Sequence, residues 1–201
     1  MANDFLNATL GSTGRRVFRL GLSASYRPGR VAIRSAIDHG VNYFFAYGFD
    51  TQMMATLRDA SRTRRDELVI ATGGYNWILW RSNLRKALEH RLRQLRTDYL
   101  DVFPHLAQQH PGLVSYTATR WSFLLRRTKG WPRERPVPTA GLAYRFVLSN
   151  PNVDVVLTAP SNAAQLAENL AEVAKGPLTA EEMSLMRAYG DAVHAQRQWF
   201  M

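Results

Sequence analysis

The sequence feature that most constrains the fold is the stretch 81–105, RSNLRKALEHRLRQLRTDYLDVFPH, where a helix pattern runs directly into a short apolar segment. Between Leu84 and Leu95, leucine and alanine recur every three to four residues among charged ones, which is typical of an amphipathic helix. Ser82 is suited to cap its start. Residues 99–103 predict a buried strand, and Pro104 ends it because proline has no amide hydrogen for a sheet. The stretch therefore predicts one helix–strand unit of a parallel α/β sheet.

The same alternation extends over the rest of the chain. A turn-rich segment at 10–14 predicts a small hairpin, and 120–138, basic, aromatic and containing prolines, predicts a long loop. Further strands are predicted at residues 17–23, 41–47, 68–72, 113–117 and 153–158, and further helices at 30–39, 50–60, 140–148, 162–174 and after 179, with a charged link at 62–67. Strands alternating with helices at this spacing predict parallel βαβ units in a single domain, 1–201.

Composition excludes several kinds of protein. The chain has no cysteine, so disulfides and thiolate metal sites are excluded, and its histidines and acids form no metal-like cluster. No apolar run approaches the roughly 20 residues that span a bilayer, and no signal-peptide core is present, so a cytoplasmic protein without a membrane partner is expected. The net charge is +10, but the arginines are scattered along the sequence, so nucleic acid is not an expected partner.

Five blocks of the sequence resemble, in order, blocks of the aldo-keto reductase superfamily. They are GVNYFFAYG, ELVIATGGYN, LEHRLRQLRTDYLDVF, VSYTATRWSFLL and VDVVLTAPSNAAQLAENL. The resemblance implies a TIM-barrel-like (β/α) fold, with an N-terminal β-hairpin, that reduces carbonyl compounds with NADP(H). Such barrels need roughly 250 residues.

With 201 residues, the chain is shorter than such a barrel. Six core parallel strands are predicted instead of eight, and the resemblance places an internal deletion near 103–105. Three outcomes stay open: a barrel closed by fewer strands, an open sheet whose edge favours a homo-oligomer, or a deletion product that folds poorly.

The resemblance points to two catalytic candidates. Tyr47 stands where the superfamily places its general acid, and His105 stands just past the fourth strand, where a histidine orients the substrate carbonyl. The matching aspartate and lysine are missing, since residues 42–46 read NYFFA and the lysine position falls near Gly73. Asp50 follows the tyrosine and is better suited to cap a helix.

The resemblance also assigns a cofactor site to two segments near the C-terminus. Thr117 and Arg120 would lie near the pyrophosphate, and a helix that starts at 161–162 would offer its amides to phosphate. The assigned residues of that helix are Ser161, Asn162, Gln165, Glu168 and Asn169. Gln165 stands where the superfamily often has an arginine for the 2′-phosphate, which leaves the choice between NADP(H) and NAD(H) open.

Three functions follow from the sequence, and the third, a basic protein that binds polyanions, rests on the net charge alone. The first is an aldo-keto-reductase-like oxidoreductase that uses NADP(H) on a small carbonyl or aldehyde substrate. Because the aspartate and lysine positions are unmatched, the alternative is a pseudoenzyme, a non-catalytic cofactor-binding or scaffold protein of the same fold.

Overall fold

A computed structural model describes residues 4–46, 50–72, 84–101 and 112–196, without the side chains of 84–87. The strands are β1 Asn7–Thr9, β2 Arg16–Phe18, β3 Leu20–Ser23, β4 Tyr43–Phe45, β5 Val69–Ala71, β6 Val114–Ser115 and β7 Val155–Thr158. The helices are α1 Gly29–Asp38, α2 Thr51–Arg64, α3 Leu84–Leu95, α4 Ala140–Leu148, α5 Ala163–Ala174 and α6 Ala180–Ala195. Short 3-10 turns occupy Gly11–Thr13, Arg65–Glu67 and Phe123–Leu125.

The predicted N-terminal hairpin is present, but the single strand predicted at 17–23 is two strands. β1 and β2 pair antiparallel, whereas β3 belongs to the main sheet. Arg19 lies between them and connects both: its amide donates to the Leu6 carbonyl, and its own carbonyl accepts from the Val156 amide. Its guanidinium donates to the carbonyls of Leu148 and Val153. The chain therefore passes from the hairpin to the main sheet at a single residue. The apolar pattern of 17–23 predicts a strand but does not show that it is divided between two sheets.

The main sheet is a five-stranded parallel half-barrel with strand order β5-β4-β3-β7-β6. This confirms the predicted (β/α) fold, with five strands among the described residues. The sixth predicted strand, at 99–103, is wrong over its described part, since residues 99–101 form no strand. Asp101 instead runs along the edge of β5, where its amide donates to the Ile70 carbonyl at 3.2 Å and its carboxylate accepts from the Ile70 amide at 2.9 Å. The predicted deletion near 103–105 lies outside the described residues.

Both faces of the sheet are apolar, as expected for a parallel sheet covered on two sides. One face packs against the helices through residues such as Leu22, Phe44 and Val156. The inner face carries Tyr43, Val69, Val155 and their neighbours, closed at one end by Leu10 and Val17 next to the hairpin turn. Burial raises the pKa of the Tyr43 hydroxyl, and the charge of Asp101 adds a smaller effect.

Gly21 makes the inner face of the sheet close-packed. A Cβ atom at this position would lie 2.9 Å from Tyr43 Cδ1, 2.9 Å from Val155 Cγ1 and 3.0 Å from Leu157 Cδ2. These side chains come from the two strands that flank β3, and they converge over the space that glycine leaves.

We expect Gly21→Ala to lower the free energy of unfolding by about 1 to 3 kcal/mol, the usual cost of overpacking a core. Gly190→Ala is the matched control, because a Cβ there meets nothing within 4 Å and alanine favours the helix. Urea denaturation of both variants measures the difference. Equal stability of Gly21→Ala and the native protein would show that the inner face is loosely packed.

Four helices begin where the sequence predicts, because their caps are local, whereas the predicted cap Ser82 lies outside the described residues. Asp50, Thr139, Asn162 and Thr179 each accept a backbone amide hydrogen bond at the start of α2, α4, α5 and α6, and Thr179 with Glu182 forms the predicted capping box. The predicted end of α2 at residue 60 is wrong. The helix continues to Arg64 and the supposed link ends in a 3-10 turn, since 51–67 contains no glycine or proline to stop it.

Candidate functional site

The carboxyl ends of the parallel strands lie at one edge of the half-barrel, the place where (β/α) barrels carry their sites. Ser23, Phe45, Ala71, Ser115 and Thr158 are the last residues of the five strands. Every predicted cofactor-site residue follows β6 or β7, so the topology brings both predicted segments to this edge.

The described ends of β4 and β5 carry no ionisable side chain. β4 ends in Phe45 and Ala46, and β5 ends in Ala71 and Thr72. Thr72 Oγ1 donates to the Ala46 carbonyl at 2.8 Å and so ties the two ends together. The predicted catalytic residues Tyr47 and His105 lie outside the described residues.

Asp50 begins α2 at the same edge and caps it as predicted. One carboxylate oxygen, Oδ1, accepts from the amides of Gln52 and Met53, at 2.9 and 3.2 Å. The residue is 4% exposed, and Oδ2 has no hydrogen-bond partner among the described residues. Gln52 in turn accepts from the Arg30 amide at 3.2 Å, which joins the first turns of α1 and α2.

The turn between β7 and α5 holds three of the predicted phosphate-site residues together. Asn162 Oδ1 accepts from the Gln165 amide at 2.9 Å, and the Gln165 side chain folds back to accept from the Ser161 amide at 2.8 Å. All three residues are exposed. The turn is thus held in shape by its own side chains, and the Ser161 amide is covered by the neutral side chain of Gln165.

The two predicted adenine-site residues occupy different surroundings. Glu168 is exposed, whereas Asn169 is buried and donates to Thr158 Oγ1 at 3.1 Å. Thr158 donates in turn to the Tyr144 hydroxyl at 3.2 Å, and burial raises the pKa of Tyr144. Asn169 is therefore part of a buried polar network beneath the edge. Sequence reasoning missed Tyr144 and Thr158, although a threonine that ends an apolar strand was the available signal.

The loop after β6 has an unusual backbone. Thr117, Arg120, Trp121 and Ser122 all have left-handed φ values, between +49° and +67°. Each such residue other than glycine costs about 1 to 2 kcal/mol, and such conformations concentrate at functional sites. Thr117 and Arg120, the predicted pyrophosphate residues, are joined by a hydrogen bond of 2.7 Å from the Arg120 amide to the Thr117 carbonyl.

One cleft among the described residues lies away from this edge. It encloses about 660 Å³ between α2 and α3, and it is lined by Ser61, Arg65, Leu92, Arg93, Arg96, Thr97 and Asp98. These residues lie near the carboxyl ends of α2 and α3, and the turn after α2 leads into the amino end of β5. The cleft is therefore on the opposite side of the sheet from the carboxyl ends of the strands. Among the described residues, no group of three histidine or acidic side chains could hold a metal ion. No described helix is both long and apolar enough to cross a membrane.

A family comparison matches the C-terminal part of the chain. The sequence model of the aldo/keto reductase family matches residues 120–191, roughly a third of the chain, which includes the left-handed loop, β7 and α5. No curated protein matches the chain.

Solved structures share the fold at low identity. AKR11C1 from Bacillus halodurans, in its holo form, has a TM-score of 0.70 and 16% identity over 91% of this chain and 95% of that chain. An aldo/keto reductase from Klebsiella pneumoniae, in complex with NADP and acetate, has a TM-score of 0.64 and 17% identity over 92% of this chain and 95% of that chain. The chain therefore has the aldo-keto reductase fold, and the resemblance predicted from the sequence is confirmed.

Proposed function

We propose that the chain binds NADP(H) at the carboxyl edge of β6 and β7 and is an aldo-keto-reductase-like oxidoreductase for a small carbonyl compound. The observation that carries the proposal is the shaped turn Ser161–Asn162–Gln165 at the start of α5, at the same edge as the loop at 117–120. The Klebsiella pneumoniae relative was solved with NADP, which supports a nicotinamide cofactor. A cytoplasmic protein is expected.

The residues present fit the phosphate half of such a cofactor. A helix N-terminus offers amide hydrogens and the positive end of its dipole to an anion. For the Ser161 amide to donate to a phosphate, its hydrogen bond to the Gln165 side chain must break. Gln165 is neutral and gives a 2′-phosphate no ion pair, so we expect little preference for NADPH over NADH.

The part of the site that would hold the nicotinamide and the substrate carbonyl has fewer of the side chains that carbonyl reduction requires. Bound cofactor would supply a hydride to the carbonyl carbon. Tyr47 would donate a proton to the carbonyl oxygen, and His105 would orient that oxygen. A tyrosine without assistance has a pKa near roughly 10, which makes it a poor acid at neutral pH. Because the described ends of β4 and β5 offer no aspartate or lysine, we expect slow turnover.

The same observation favours a second candidate, a non-catalytic cofactor-binding or scaffold protein. A protein that only binds the dinucleotide needs the turn at 161–165 but needs no aspartate or lysine beside a substrate. The outer edge of β6 would then be the natural place for a second copy to pair, because Asp101 already covers part of the outer edge of β5.

We expect Gln165→Arg to raise the preference for NADPH over NADH by about tenfold, because arginine forms paired hydrogen bonds with phosphate. Ala167→Arg is the control: it adds the same charge to an exposed position two residues further along α5. Fluorescence titration of each protein with both cofactors measures the preference. No saturable binding at millimolar cofactor, or an equal gain in both variants, would refute the assigned site.

Aldehyde-dependent oxidation of NADPH separates the two candidates. If the chain is a reductase, we expect slow turnover that Tyr47→Phe abolishes while the cofactor affinity stays the same. Saturable binding without turnover in the native protein would establish the non-catalytic candidate.

A further inference from the structure

The basic-aromatic loop, residues 112–138, concentrates positive charge in one stretch of the chain. It contains six basic residues and one acid. Five of the basic residues follow Phe123, and all five are exposed: Arg126, Arg127, Lys129, Arg133 and Arg135. None of the five forms an ion pair with an acid of the described residues. The loop is therefore a strongly positive surface that the described part of the protein leaves unneutralised.

The same loop holds aromatic rings in solvent. Tyr116 is 69% exposed, Trp121 is 61% exposed and Phe123 is 51% exposed. Trp121 is the middle one of three consecutive left-handed residues, so its exposed position depends on a backbone that costs free energy to maintain. The Arg126 guanidinium carbon lies 5.6 Å from the centre of the Phe123 ring, which places a cation beside an exposed aromatic face.

A small second core fixes the loop against α6. Trp131 is 6% exposed and meets the Tyr189 ring edge-on, with ring centres 5.0 Å apart. The Trp131 indole donates to the Pro136 carbonyl, and the Tyr189 hydroxyl donates to the Arg126 carbonyl. Arg127 donates to the carbonyls of Pro132 and Arg135. One tryptophan of the loop thus serves packing, while Trp121 is left out of that core.

We propose that the basic-aromatic loop binds single-stranded nucleic acid. Its cations would contact successive phosphates, and Trp121 and Phe123 would stack on bases, which every base permits because each has a flat aromatic face. A duplex keeps its bases stacked inside and offers only phosphates to such a surface. The loop is held in place before binding, so little conformational freedom is lost on binding.

This proposal departs from the expectation that nucleic acid is not a partner, because the structure leaves the basic residues of 126–135 exposed together with aromatic rings of the same loop. It uses other residues than the cofactor proposal does, although Thr117 and Arg120 lie in the same loop. The residues that carry it, Trp121 and the exposed basic residues after Phe123, are not among those assigned to NADP(H).

The experiment measures fluorescence anisotropy of a labelled oligothymidylate of about 15 nucleotides, close to the site size of known single-strand binders. We expect the native protein to bind it more tightly than a duplex of equal length, and Trp121→Ala to weaken binding about tenfold. Trp121→Phe keeps an aromatic ring, so it should restore most of the affinity. Because Trp121 is largely exposed, the thermal midpoint of Trp121→Ala should match that of the native protein.

A charge-matched pair of variants tests the electrostatic part. The double variant Lys129→Gln/Arg133→Gln should reduce the slope of log affinity against log salt by about 0.7 for each phosphate that the variant no longer neutralises. The control, Arg62→Gln/Arg93→Gln, removes the same charge from exposed positions on α2 and α3 and should leave the slope unchanged. Equal slopes for the two double variants, or unchanged binding by Trp121→Ala, would overturn the proposal and leave only diffuse attraction to polyanions.

Discussion

Arg145→Met is expected to lower the free energy of unfolding by about 3 kcal/mol, because it removes a buried guanidinium and leaves the carbonyl and carboxylate oxygens that it bonds without their donor. The Arg145 side chain is only 2% exposed and forms paired bonds of 2.7 and 2.8 Å with the two carboxylate oxygens of Glu182. It also donates to the carbonyls of Gly176 and Pro177, at 2.8 and 2.9 Å. One side chain of α4 therefore fixes the turn between α5 and α6 and the first turn of α6.

The control for this substitution is Arg64→Met, which removes an arginine from the exposed pair with Glu67. Exposed pairs contribute about 0 to 1 kcal/mol, so this variant should be almost as stable as the native protein. Urea denaturation at neutral pH compares the two. Equal losses would mean that the Arg145 contacts do not contribute to stability beyond those of a surface pair.

The Arg145–Glu182 pair also predicts a pH dependence. The hydrogen bond from Arg145, with smaller contributions from the Thr179 amide and nearby charges, lowers the pKa of Glu182. A lowered folded-state pKa contributes stability above the ordinary pKa of glutamate, about 4.3, and that stability is lost as the pH falls through the folded value. The difference between native protein and Arg145→Met should therefore shrink in acid. Denaturation curves at pH 7 and pH 3 test this.

Asp101→Asn is expected to have the second large effect, about 3 to 5 kcal/mol. The Asp101 carboxylate is 6% exposed and pairs with Arg65 at 2.9 Å and with Arg15 at 3.2 Å. It also accepts the Ile70 amide. The asparagine keeps the shape but leaves Arg65, itself 12% exposed, without its counter-charge.

The contacts of Arg65 explain why the loss of stability in Asp101→Asn would extend beyond the site of substitution. It donates to the carbonyls of Leu68 and Tyr99 and to the Thr97 hydroxyl, and its guanidinium carbon lies 3.7 Å from the centre of the Tyr99 ring. Together with Arg15 near the hairpin, it links the N-terminus, β5 and the segment after α3. We therefore expect Asp101→Asn to reduce amide protection in all three regions, as measured by hydrogen exchange.

The control for Asp101→Asn is Asp98→Asn, an exposed position three residues earlier with no ion pair among the described residues. It should change stability by less than about 0.5 kcal/mol. A loss confined to the hairpin, or no loss at all, would contradict the linking role of Asp101.

The candidate site was predictable where its signals are local. Asn162 and Asp50 follow from the rule that short polar side chains cap helices, and the turn at 161–165 follows from strand, turn and helix in sequence. The left-handed run at 120–122 was not predictable, because arginine, tryptophan and serine rarely adopt that conformation and no glycine marks it. The inward position of Asn169 depends on Tyr144, which lies on another helix.

By itself, the sequence determined the helices with their caps, most strand positions and the (β/α) class, because periodicity and capping involve residues within a few positions of each other. Only the tertiary structure decided the strand order, the change of sheets at Arg19, the packing around Gly21 and the buried partners of Arg145 and Asp101. It also decided that Trp121 and the basic residues of the loop are exposed to solvent together. Each of these depends on groups that are distant in the chain, and the free energy of such contacts is set by burial and geometry that no local pattern encodes.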